Sequence, residues 1–472
     1  MKLSLLLQAI HKTWNGTDVE ISLVTDDSRK CVPGSLFVCH DAAKAYGEAA
    51  IKNGAVLVLA EEQICENCLV IEQTRAAYST LCRCFFGYPD RRLSMLAVTG
   101  TNGKTTVASM LACLLEMNGL RCGLLSTVTN AERASTLTTL DSFRLNEALA
   151  SMVQEGKTHC VVEASSQGLQ EQRLYGILFD VAVFTNLGHD HLDIHKTFAA
   201  YKAAKLQLFS QCRCAIVNYD DAAAPDVIAA CKGQTVTYSV RHNEADFTAK
   251  SIRTFEDGMD FALVGDSLIH RVKLHMQGDF NIENAMAAIL AAMQCGLSLE
   301  ACAAAMRSFS GVKGRMERLD VSLPFQVLID FAHTPESLRQ CLLTLRRLCK
   351  KKLILVFGCG GDRDKSKRGD MGKIACSLAD LVVVTEDNPR TEDPAAIMED
   401  ILRDTAAFKT PVFMLQDRSE AIAFALSRAR EDDLVLLAGK GHETYQIIGT
   451  EKTDFDEREI VEAWAKKHRK DR

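Results

Sequence analysis

The sequence places a glycine-rich loop with one lysine between a predicted strand and a predicted helix. The loop lies in "LAVTGTNGKTTVASMLACLLEMNG" and consists of Gly100, Thr101, Asn102, Gly103, Lys104, Thr105 and Thr106. Glycines let backbone N–H groups surround a phosphate, and the N-terminus of the following helix adds a positive field. The lysine of such a loop reaches the terminal phosphates of a nucleotide, and the first threonine ligates Mg²⁺. Because Val98 replaces a glycine of the general pattern, the sequence predicts a shortened variant of an ATP-binding loop.

Acidic and histidine residues follow two further predicted strands. Glu163 ends the strand in "HCVVEASSQGL", where a carboxylate can hold Mg²⁺ beside the phosphate loop. The next strand leads into "GHDHLDIH", from which we take His191 as a metal ligand. Asp190, Asp193 and His195 are interpreted as residues that organise this loop around the ligand.

One arginine stands among acidic residues in "VTEDNPRTEDP". Arg390 could neutralise its sequence neighbours Glu386, Asp387, Glu392 and Asp393. Alternatively, it could bind a carboxylate of a substrate, because a planar guanidinium pairs with a carboxylate in a bidentate manner. The local sequence leaves both interpretations open.

These residues must be positioned by strands and helices of more than one domain. A chain of 472 residues exceeds the size at which one hydrophobic core keeps growing. In its last third, "LILVFGCGG", "DLVVVTEDN", "PVFML" and "DLVLLAGKG" alternate with helical segments, which is typical of a doubly wound parallel sheet. We predict an α/β protein with three domains, at residues 1–90, 91–313 and 314–472.

Composition and charge exclude several classes of protein. The formal charge of -6 argues against a nucleic-acid-binding surface. No apolar run is long enough for a transmembrane helix, and the N-terminus lacks the pattern of a signal peptide. We therefore expect a cytoplasmic monomer that binds no nucleic acid and does not insert into a membrane. The 18 cysteines are spread along the chain, and we expect reduced thiols rather than a structural metal site.

The chain resembles the Mur ligases, ATP-dependent enzymes that build the peptide of peptidoglycan. The resemblance is carried by motifs that occur in one order along most of the chain: "DDSRKCVPGSLFV", "TGTNGKTT", "VVEASSQGL", "FTNLGHDHLDIH", "YKAAKLQLF", "GDFNIENAMAA", "GRMERLD", "DFAHTPESL", "FGCGGDRDKSKR", "TEDNPR" and "GKGHETYQ". They are most similar to the members that add the third residue of the peptide. The resemblance implies a UDP-binding N-terminal domain, a central P-loop ATPase-like domain and a C-terminal Rossmann-like domain.

The resemblance also implies a reaction and the residues that carry it. ATP would phosphorylate a substrate carboxylate, and an amine would then displace phosphate from the acyl phosphate. Lys104, Glu163, His191, Lys205 and His333 match catalytic positions. Thr105, Glu163, His191 and Lys205, the last as a carbamate, match the metal ligands. ATP contacts are implied for the phosphate loop and for Asn281, Asn284, Arg315 and Asp330.

For the sugar nucleotide, UDP-N-acetylmuramoyl dipeptide, the resemblance is less complete. The implied contacts are Ser28, Thr138, Thr139, Ser165 and Arg173. Four nearby positions depart from the usual residues of the family, namely Leu137, Leu140, Gln167 and Glu171. A glycine-rich loop of the N-terminal domain is replaced by "AKAYGEAA". These departures leave open a related ligase that acts on a different acid.

The incoming amino acid is expected to be meso-diaminopimelate, because "DNPR" resembles the signature of ligases that add it. This amino acid differs from L-lysine, the alternative, by one distal carboxylate, and a fixed arginine could detect that group. By the same resemblance Arg363, Asn388 and Arg390 would contact the carboxylates of the amino acid. Gly439 and Glu443 would hold its ammonium end.

Two other classes of protein can be weighed against a ligase. A non-catalytic nucleotide-binding protein would have no physical need of Lys104, Glu163, His191, Lys205 and Arg315 together. A NAD-dependent oxidoreductase might be inferred from "GCGG", but this segment lacks the spacing of a dinucleotide-binding motif and leaves the phosphate loop unexplained. We set both aside.

Overall fold

The computed structural model describes residues 1–41, 43–133, 135, 137–188, 190–255 and 257–468. These residues form three large sheets and one hairpin. The first sheet lies within residues 23–70, the second within 94–274 and the third within 317–438. The predicted mixed α/β architecture is confirmed.

The first sheet has four parallel strands in the order β1-β2-β3-β4. Its surroundings comprise α1 (Leu3–Ala9), β1 (Leu23–Thr25), β2 (Ser35–Val38), α2 (Lys44–Lys52), β3 (Ala55–Ala60), β4 (Cys68–Val70), α3 (Thr74–Phe85) and 3-10 helices at Ser28–Lys30 and Pro89–Arg92. In β2, Leu36 and Val38 enter one core and Phe37 enters another, as the alternation of side chains in a strand requires. Both faces of this sheet are therefore covered.

The second sheet has nine strands and carries the phosphate loop. Its elements are β5 (Ser94–Thr99), α4 (Lys104–Met117), β6 (Cys122–Leu125), α5 (Thr127–Glu132), α6 (Ser142–Gln154), β7 (His159–Glu163), α7 (Ser166–Gln170), β8 (Phe179–Phe184), α8 (Leu192–His195), α9 (Phe198–Leu206), a 3-10 helix (Gln207–Gln211), β9 (Cys212–Asn218), α10 (Ala224–Ala230), β10 (Gln234–Ser239), β11 (Phe247–Phe255), β12 (Gly258–Gly265), β13 (Leu268–Leu274), α11 (Asp279–Gln294) and α12 (Leu299–Met306). The strand order is β13-β12-β11-β10-β9-β8-β5-β7-β6, parallel from β11 to β6. Since β5 lies between β8 and β7, the loops after these three strands meet at one edge of the sheet.

The third sheet has six strands in the order β14-β15-β19-β16-β17-β18, and only β14 is antiparallel to its neighbour. Its elements are β14 (Glu317–Arg318), β15 (Gln326–Asp330), α13 (Pro335–Leu348), β16 (Leu353–Phe357), α14 (Lys367–Leu378), β17 (Leu381–Val384), α15 (Pro394–Leu402), β18 (Val412–Met414), α16 (Arg418–Arg428) and β19 (Leu434–Ala438). An antiparallel hairpin of β20 (Tyr445–Ile448) and β21 (Glu451–Asp454) and the helix α17 (Glu457–His468) follow. The four apolar runs that the sequence predicts as strands form β16 to β19.

Each large sheet has its own pair of hydrophobic cores, one on each face. Two clusters lie around the first sheet, two around the second and two around the third. This arrangement matches three folding units, while the domain limits after residues 90 and 313 remain a prediction. All eighteen cysteines are free thiols. None of the helices in the described part of the chain is long and apolar enough to cross a membrane.

Contacts between the three units tie them together. Between the first and second units, the Ser79 and Ser142 hydroxyl oxygens lie 2.7 Å apart in a buried contact. The third unit contacts the second through the Arg347–Asp279 ion pair, whose nitrogen and oxygen are 3.0 Å apart. Arg315 of the third unit also donates to the Thr105 hydroxyl at 3.1 Å, so the edge of the second sheet that carries the phosphate loop lies close to the third unit.

Candidate active site

The phosphate loop follows β5 and needs its glycines for steric reasons. A Cβ atom on Gly100 would lie 1.9 Å from the Thr185 hydroxyl oxygen, and one on Gly103 would lie 2.5 Å from Oδ1 of Asn284. Gly103 also adopts a φ of 84°, which is in the left-handed region, directly before α4. The loop is thus packed tightly against the ends of β8 and α11.

Neighbouring residues hold the backbone of the loop in place. The Thr101 and Asn102 N–H groups donate to the carbonyl and the side-chain oxygen of Asn186, at 2.8 and 2.9 Å. The Thr101 hydroxyl lies 2.9 Å from the Tyr201 hydroxyl. The Lys104 ammonium donates to the carbonyl oxygens of Gly100 and Thr101, both at 2.9 Å. These protein groups hold the loop backbone in a shape that can receive phosphate.

Glu163 is completely buried at the end of β7, beside the start of α4. Its carboxylate accepts a hydrogen bond from the Thr105 hydroxyl at 3.2 Å and from the Thr127 N–H at 3.0 Å. Burial raises the pKa of Glu163, while Lys104 and Arg315 oppose the rise. A carboxylate and hydroxyl groups are oxygen donors of the kind that Mg²⁺ prefers, so this donor set fits the predicted metal.

His191 lies in a second group, which spans the second and third units. Its Nε2 atom is 3.4 Å from Oδ2 of Asp190, and Nε2 of His333 lies 3.8 Å from the same oxygen. Burial lowers the pKa of His333 to about 4, so its ring is neutral near pH 7. Among the described residues no group of three or more His, Cys, Asp and Glu side chains could hold a metal ion. A metal at this edge would therefore need other ligands, such as hydroxyls, a carbamate or nucleotide phosphates.

Lys205 is buried on α9 with its ammonium against the phosphate loop. Its Nζ donates to the Gly100 carbonyl oxygen at 2.7 Å and lies 4.8 Å from the centre of the Tyr201 ring. Burial and the nearby Lys104 hold the pKa of Lys205 well below its usual value. A buried lysine of this kind favours the uncharged amine, the form that reacts with CO₂ to give a carbamate.

Arg315 reaches the phosphate loop from the third unit. One of its Nη atoms donates to the Thr105 hydroxyl at 3.1 Å, and its guanidinium lies 4.5 Å from the centre of the Phe331 ring. Its Nε atom is buried and has no partner among the described residues. The Asp330 carboxylate accepts the Met316 N–H at 2.7 Å. The predicted ATP residues Arg315 and Asp330 thus flank the loop from the opposite side.

The two asparagines predicted to contact ATP lie together near the start of α11. Asn284 donates to Oδ1 of Asn281 at 3.0 Å, and Asn281 donates to the Gln277 carbonyl oxygen at 2.7 Å. Both are buried, and Asn284 faces Gly103. Thr106, the last residue of the loop, is buried in the first turn of α4.

Four of the residues predicted to bind the sugar peptide form one network with Glu163. The Thr139 hydroxyl donates to the Glu163 carbonyl oxygen at 2.7 Å and lies 2.9 Å from the Ser165 hydroxyl. The Thr138 and Thr127 hydroxyl oxygens lie 3.3 Å apart. An Nη atom of Arg173 donates to the Thr139 carbonyl oxygen at 2.6 Å. Ser28, the fifth predicted residue, lies in the first unit at the end of β1 and is buried.

The guanidinium of Arg173 is paired within the protein. Its Nε and one Nη donate to the same carboxylate oxygen of Glu171, at 2.9 and 2.5 Å. The other oxygen of Glu171 accepts from the Gln167 amide at 2.9 Å. Glu171 and Gln167 are two of the positions that depart from the family pattern. Arg173 therefore presents less positive charge to a ligand than the sequence alone suggests.

Arg390 and Arg363 lie near each other at the carboxyl ends of β17 and β16. An Nη atom of Arg390 donates to the Gly361 carbonyl oxygen at 2.8 Å, and one of Arg363 donates to the Asp362 carbonyl oxygen at 3.2 Å. Burial lowers the pKa of Arg390, and the charge of Arg363 lowers it further. Neither guanidinium has a carboxylate within 4.0 Å among the described residues.

The acidic neighbours of Arg390 in the sequence are engaged elsewhere. Glu392 pairs with Arg368 and Lys365, at 3.0 and 2.9 Å. Glu386 accepts from the Gln446 amide, Asp387 faces Lys440, and Asp393 caps the N-terminus of α15. The interpretation that Arg390 neutralises these four carboxylates is therefore not supported.

Glu443 and Gly439 lie on the opposite side of the same edge. One oxygen of Glu443 accepts from the Asn388 amide at 2.8 Å. Burial raises the pKa of Glu443, and Asp387 raises it further. Gly439 has a φ of 114°, and a Cβ there would lie 2.4 Å from the Asp387 carboxylate. The edge of the third sheet at which its parallel strands end thus presents the two guanidinium groups at one side and the Asp387 and Glu443 carboxylates at the other.

Sequence reasoning missed several residues of these sites. Thr127 donates to Glu163 through both its N–H and its hydroxyl, but it belongs to a short helix without a recognisable pattern. Lys440 is fully buried against Asn388, and its place within "GKGHE" could have drawn attention to it. Asn186 and Tyr201, which hold the phosphate loop, lie in the motifs "FTNLGHDHLDIH" and "YKAAKLQLF", but the sequence analysis assigned them no role.

Comparison with protein families gives two matches. Residues 98–292 match the model of the Mur ligase middle domain. Residues 314–441 match the model of the Mur ligase, glutamate ligase domain. The two matches cover the second and third sheets and most of the residues described above.

Several relatives and solved structures are similar over nearly the full length. A UDP-N-acetylmuramoyl-L-alanyl-D-glutamate–2,6-diaminopimelate ligase of Caldanaerobacter subterraneus is 40% identical over 475 residues, covering 98% of each chain. The ligase of the same name from Geobacillus kaustophilus is 38% identical and covers 99% of each chain. A solved structure of a ligase of this name gives a TM-score of 0.70 at 33% identity, covering 99% of this chain and 100% of that one. MurF ligase from Thermotoga maritima in complex with ADP shares the fold, with a TM-score of 0.67 at 19% identity and coverage of 95% and 98%.

Proposed function

The chain belongs to the Mur ligase family, and on this premise we propose that it adds meso-diaminopimelate to UDP-N-acetylmuramoyl-L-alanyl-D-glutamate, with hydrolysis of ATP to ADP and phosphate. The names of full-length relatives at 36–40% identity support this acid and this amine. We propose that the reaction serves peptidoglycan biosynthesis in the cytoplasm and that the protein acts as a monomer. The observation that carries the choice of amino acid is the pair of unneutralised guanidinium groups of Arg390 and Arg363.

The chemistry has two steps. The substrate carboxylate attacks the γ-phosphoryl group of ATP, and ADP leaves. The amine of the incoming amino acid then attacks the acyl phosphate, loses a proton and expels phosphate, which leaves an amide. Activation is needed because hydroxide is a poor leaving group from a carboxylic acid, whereas phosphate is a good one.

The first step brings two anions together, so the site must supply positive charge. Lys104 and the N-terminus of α4 would bind the terminal phosphates, and Arg315 would contact them from the third unit. Thr105, Glu163, His191 and carbamylated Lys205 would hold Mg²⁺, which supplies charge neutralisation between carboxylate and phosphate. Asn281, Asn284 and Asp330 would bind the base and ribose, and His333 would orient groups beside Asp190.

The sugar nucleotide would extend from Ser28 to the network around Thr139. Thr138, Thr139 and Ser165 offer hydroxyl groups beside Glu163, where the substrate carboxylate must lie to reach ATP. Arg173 would contact the same substrate with its remaining N–H groups, since Glu171 and Thr139 occupy the others.

Diaminopimelate fits the amino-acid site better than lysine on grounds of charge. Both amino acids carry ammonium groups that Glu443 and the Gly439 turn can receive. Only diaminopimelate has a distal carboxylate that can neutralise Arg390, with Asn388 and Arg363 beside it. Lysine would leave the half-buried guanidinium of Arg390 without an anion, which disfavours its binding.

A coupled assay of phosphate release tests the proposal directly. With ATP and UDP-N-acetylmuramoyl-L-alanyl-D-glutamate, we expect turnover with meso-diaminopimelate and turnover at least about 10²-fold weaker with L-lysine, given the cost of an unpaired charge. Equal kcat/KM for the two amines would contradict the assigned specificity.

Replacement of Arg390 by alanine should remove this specificity. Charged hydrogen bonds contribute about 1.5–3 kcal/mol, so kcat/KM for diaminopimelate should fall by about 10- to 10²-fold. The KM for ATP should stay unchanged because the phosphate loop lies in another unit. Arg339→Ala serves as a control, because Arg339 pairs on the surface of α13 with Glu336. An unchanged preference for diaminopimelate over lysine in Arg390→Ala would show that the carboxylate is recognised elsewhere.

The pairing of Arg173 with Glu171 supports a second candidate function. It reduces the positive charge on the side of the site where the sugar peptide is expected. A related ligase that joins a different acid to an amine would have the same ATP site. Absence of phosphate release with the muramoyl dipeptide and any amine would favour this alternative.

A further inference from the structure

Lys440 is completely buried in the middle of the proposed amino-acid site. Its ammonium donates to the Tyr445 carbonyl oxygen at 2.8 Å and to Oδ1 of Asn388 at 3.1 Å. It also lies 3.7 Å from a Glu443 oxygen and 3.9 Å from an Asp387 oxygen. The Phe455 ring covers it, with its centre 5.5 Å away. Burying an ammonium group is costly unless hydrogen-bond acceptors or negative charges surround it.

The contact with Lys440 fixes the orientation of the Asn388 side chain. Oδ1 of Asn388 accepts from both the Lys440 ammonium and the Ile447 N–H, the latter at 3.0 Å. An ammonium has no acceptor and a backbone N–H can only donate, so the amide oxygen must face them. The Asn388 NH₂ group must therefore point to Glu443, to which it donates at 2.8 Å. Lys440 thus determines how Asn388 holds Glu443.

Two carboxylates approach the Lys440 ammonium, those of Asp387 and Glu443. Asp387 and Glu443 together carry two negative charges when ionised, and Lys440 compensates one of them. Burial raises the pKa of Glu443, Asp387 raises it further, and Lys440 opposes both effects.

Other charged groups nearby have partners of their own. Arg418 pairs with Glu457, Glu386 accepts from Gln446, and the Tyr445 hydroxyl donates to Glu443 at 3.3 Å. Arg390 adds a long-range attraction for Glu443 from the other end of the site. The direct contacts of the Glu443 carboxylate are neutral donors, Asn388 and Tyr445, and the Lys440 ammonium at 3.7 Å, so it remains an acceptor for an ammonium group.

We propose that Lys440 is a positioning residue for amine recognition. It acts through Asn388 and Glu443, so that an ionised and correctly oriented carboxylate meets the ammonium group of the incoming amino acid. This inference rests on the proposed function and extends it by a residue that itself stays out of contact with the substrate.

The test compares Lys440→Met with the wild-type enzyme in the phosphate-release assay. We expect the KM for diaminopimelate to rise by about 10-fold or more, since a charge-assisted contact is lost, while the KM for ATP stays the same. Without the opposing cation the pKa of Glu443 should rise, so Glu443 loses its charge at a higher pH. The acidic limb of the kcat/KM profile for diaminopimelate should therefore move to higher pH.

Two further variants separate positioning from a purely structural role. Lys440→Gln keeps a donor for Asn388 but has no charge, so it should show the shift in pH profile even if Lys440→Met fails to fold. In the Glu443→Gln background, Lys440→Gln should have no further effect on the KM for diaminopimelate, because the group it acts through is already altered. Lys409→Met, an exposed lysine of the same unit, is the control for loss of a positive charge.

The outcomes distinguish this inference from the proposed function. If the wild-type enzyme uses diaminopimelate but Lys440→Gln has an unchanged KM and pH profile, the inference is wrong and the function stands. Additive effects of Lys440→Gln and Glu443→Gln would also overturn it. If the wild-type enzyme does not use diaminopimelate, the proposed function and this inference are both wrong.

Discussion

Lys104→Met is expected to abolish ATP-dependent phosphate release, with kcat lowered by about 10³-fold or more, as for other groups that stabilise developing charge. The Lys104 ammonium lies between the Gly100 and Thr101 carbonyl oxygens and close enough to Glu163 to affect its pKa. Methionine keeps the apolar length of the side chain, so the loss should reflect the charge rather than the packing. Steady-state phosphate release at saturating ATP measures the effect.

A matched control is Lys232→Met, since Lys232 is an exposed lysine of the same unit. It should retain wild-type kcat. The melting temperature of Lys104→Met shows whether the variant stays folded, because the buried Glu163 carboxylate loses a neighbouring cation. A Lys104→Met enzyme with more than about a tenth of wild-type kcat would show that Lys104 does not stabilise the transferred phosphoryl group.

Lys205→Ala is the second substitution for which we expect a large loss, about 10²- to 10³-fold in kcat, comparable with the loss of one charge-stabilising group. We infer that the Lys205 amine and CO₂ form a carbamate and release one proton. The carbamate would provide an oxygen ligand at the phosphate loop, where Nζ now lies 2.7 Å from the Gly100 carbonyl oxygen. The low pKa of this buried amine favours the reaction, and acid reverses it by protonating the amine.

Three measurements test this inference. Intact mass spectrometry in the presence of bicarbonate should show the mass of one added CO₂ on the wild-type enzyme and none on Lys205→Ala. Small carboxylic acids such as formate should restore part of the activity of Lys205→Ala, because they can occupy the space of the carbamate. Lys202→Ala is the control, since Lys202 lies on the same helix and pairs with Asp226 at the surface. Full activity of Lys205→Ala without added acid would rule out a role as a ligand.

The phosphate loop could be predicted from the sequence because its signal is local. Glycines at defined positions after an apolar run indicate a turn whose backbone lies close to other residues. The steric limits at Gly100 and Gly103 confirm such close packing. The strands of the third sheet were predictable for the same reason, since each is a short apolar run followed by polar residues. The motifs shared with the Mur ligases supplied the order of the units.

Contacts between distant residues could not be predicted in this way. Glu392 follows Arg390 closely in the sequence, yet it pairs with Arg368, which is 24 residues away. Of the two interpretations that the sequence left open for Arg390, pairing with Glu392 is therefore not supported. The pairing of Arg173 with Glu171 shows the opposite case, where a near neighbour reduces the charge of a predicted substrate residue.

The contact of Arg315 with the Thr105 hydroxyl bears on when bound ATP can be hydrolysed. Lys104 and Arg315, the two cations proposed to act on the transferred phosphoryl group, belong to different units. A nucleotide bound to the second unit alone would therefore lack one of them. We infer that ATP would be hydrolysed slowly whenever the third unit is displaced from the phosphate loop.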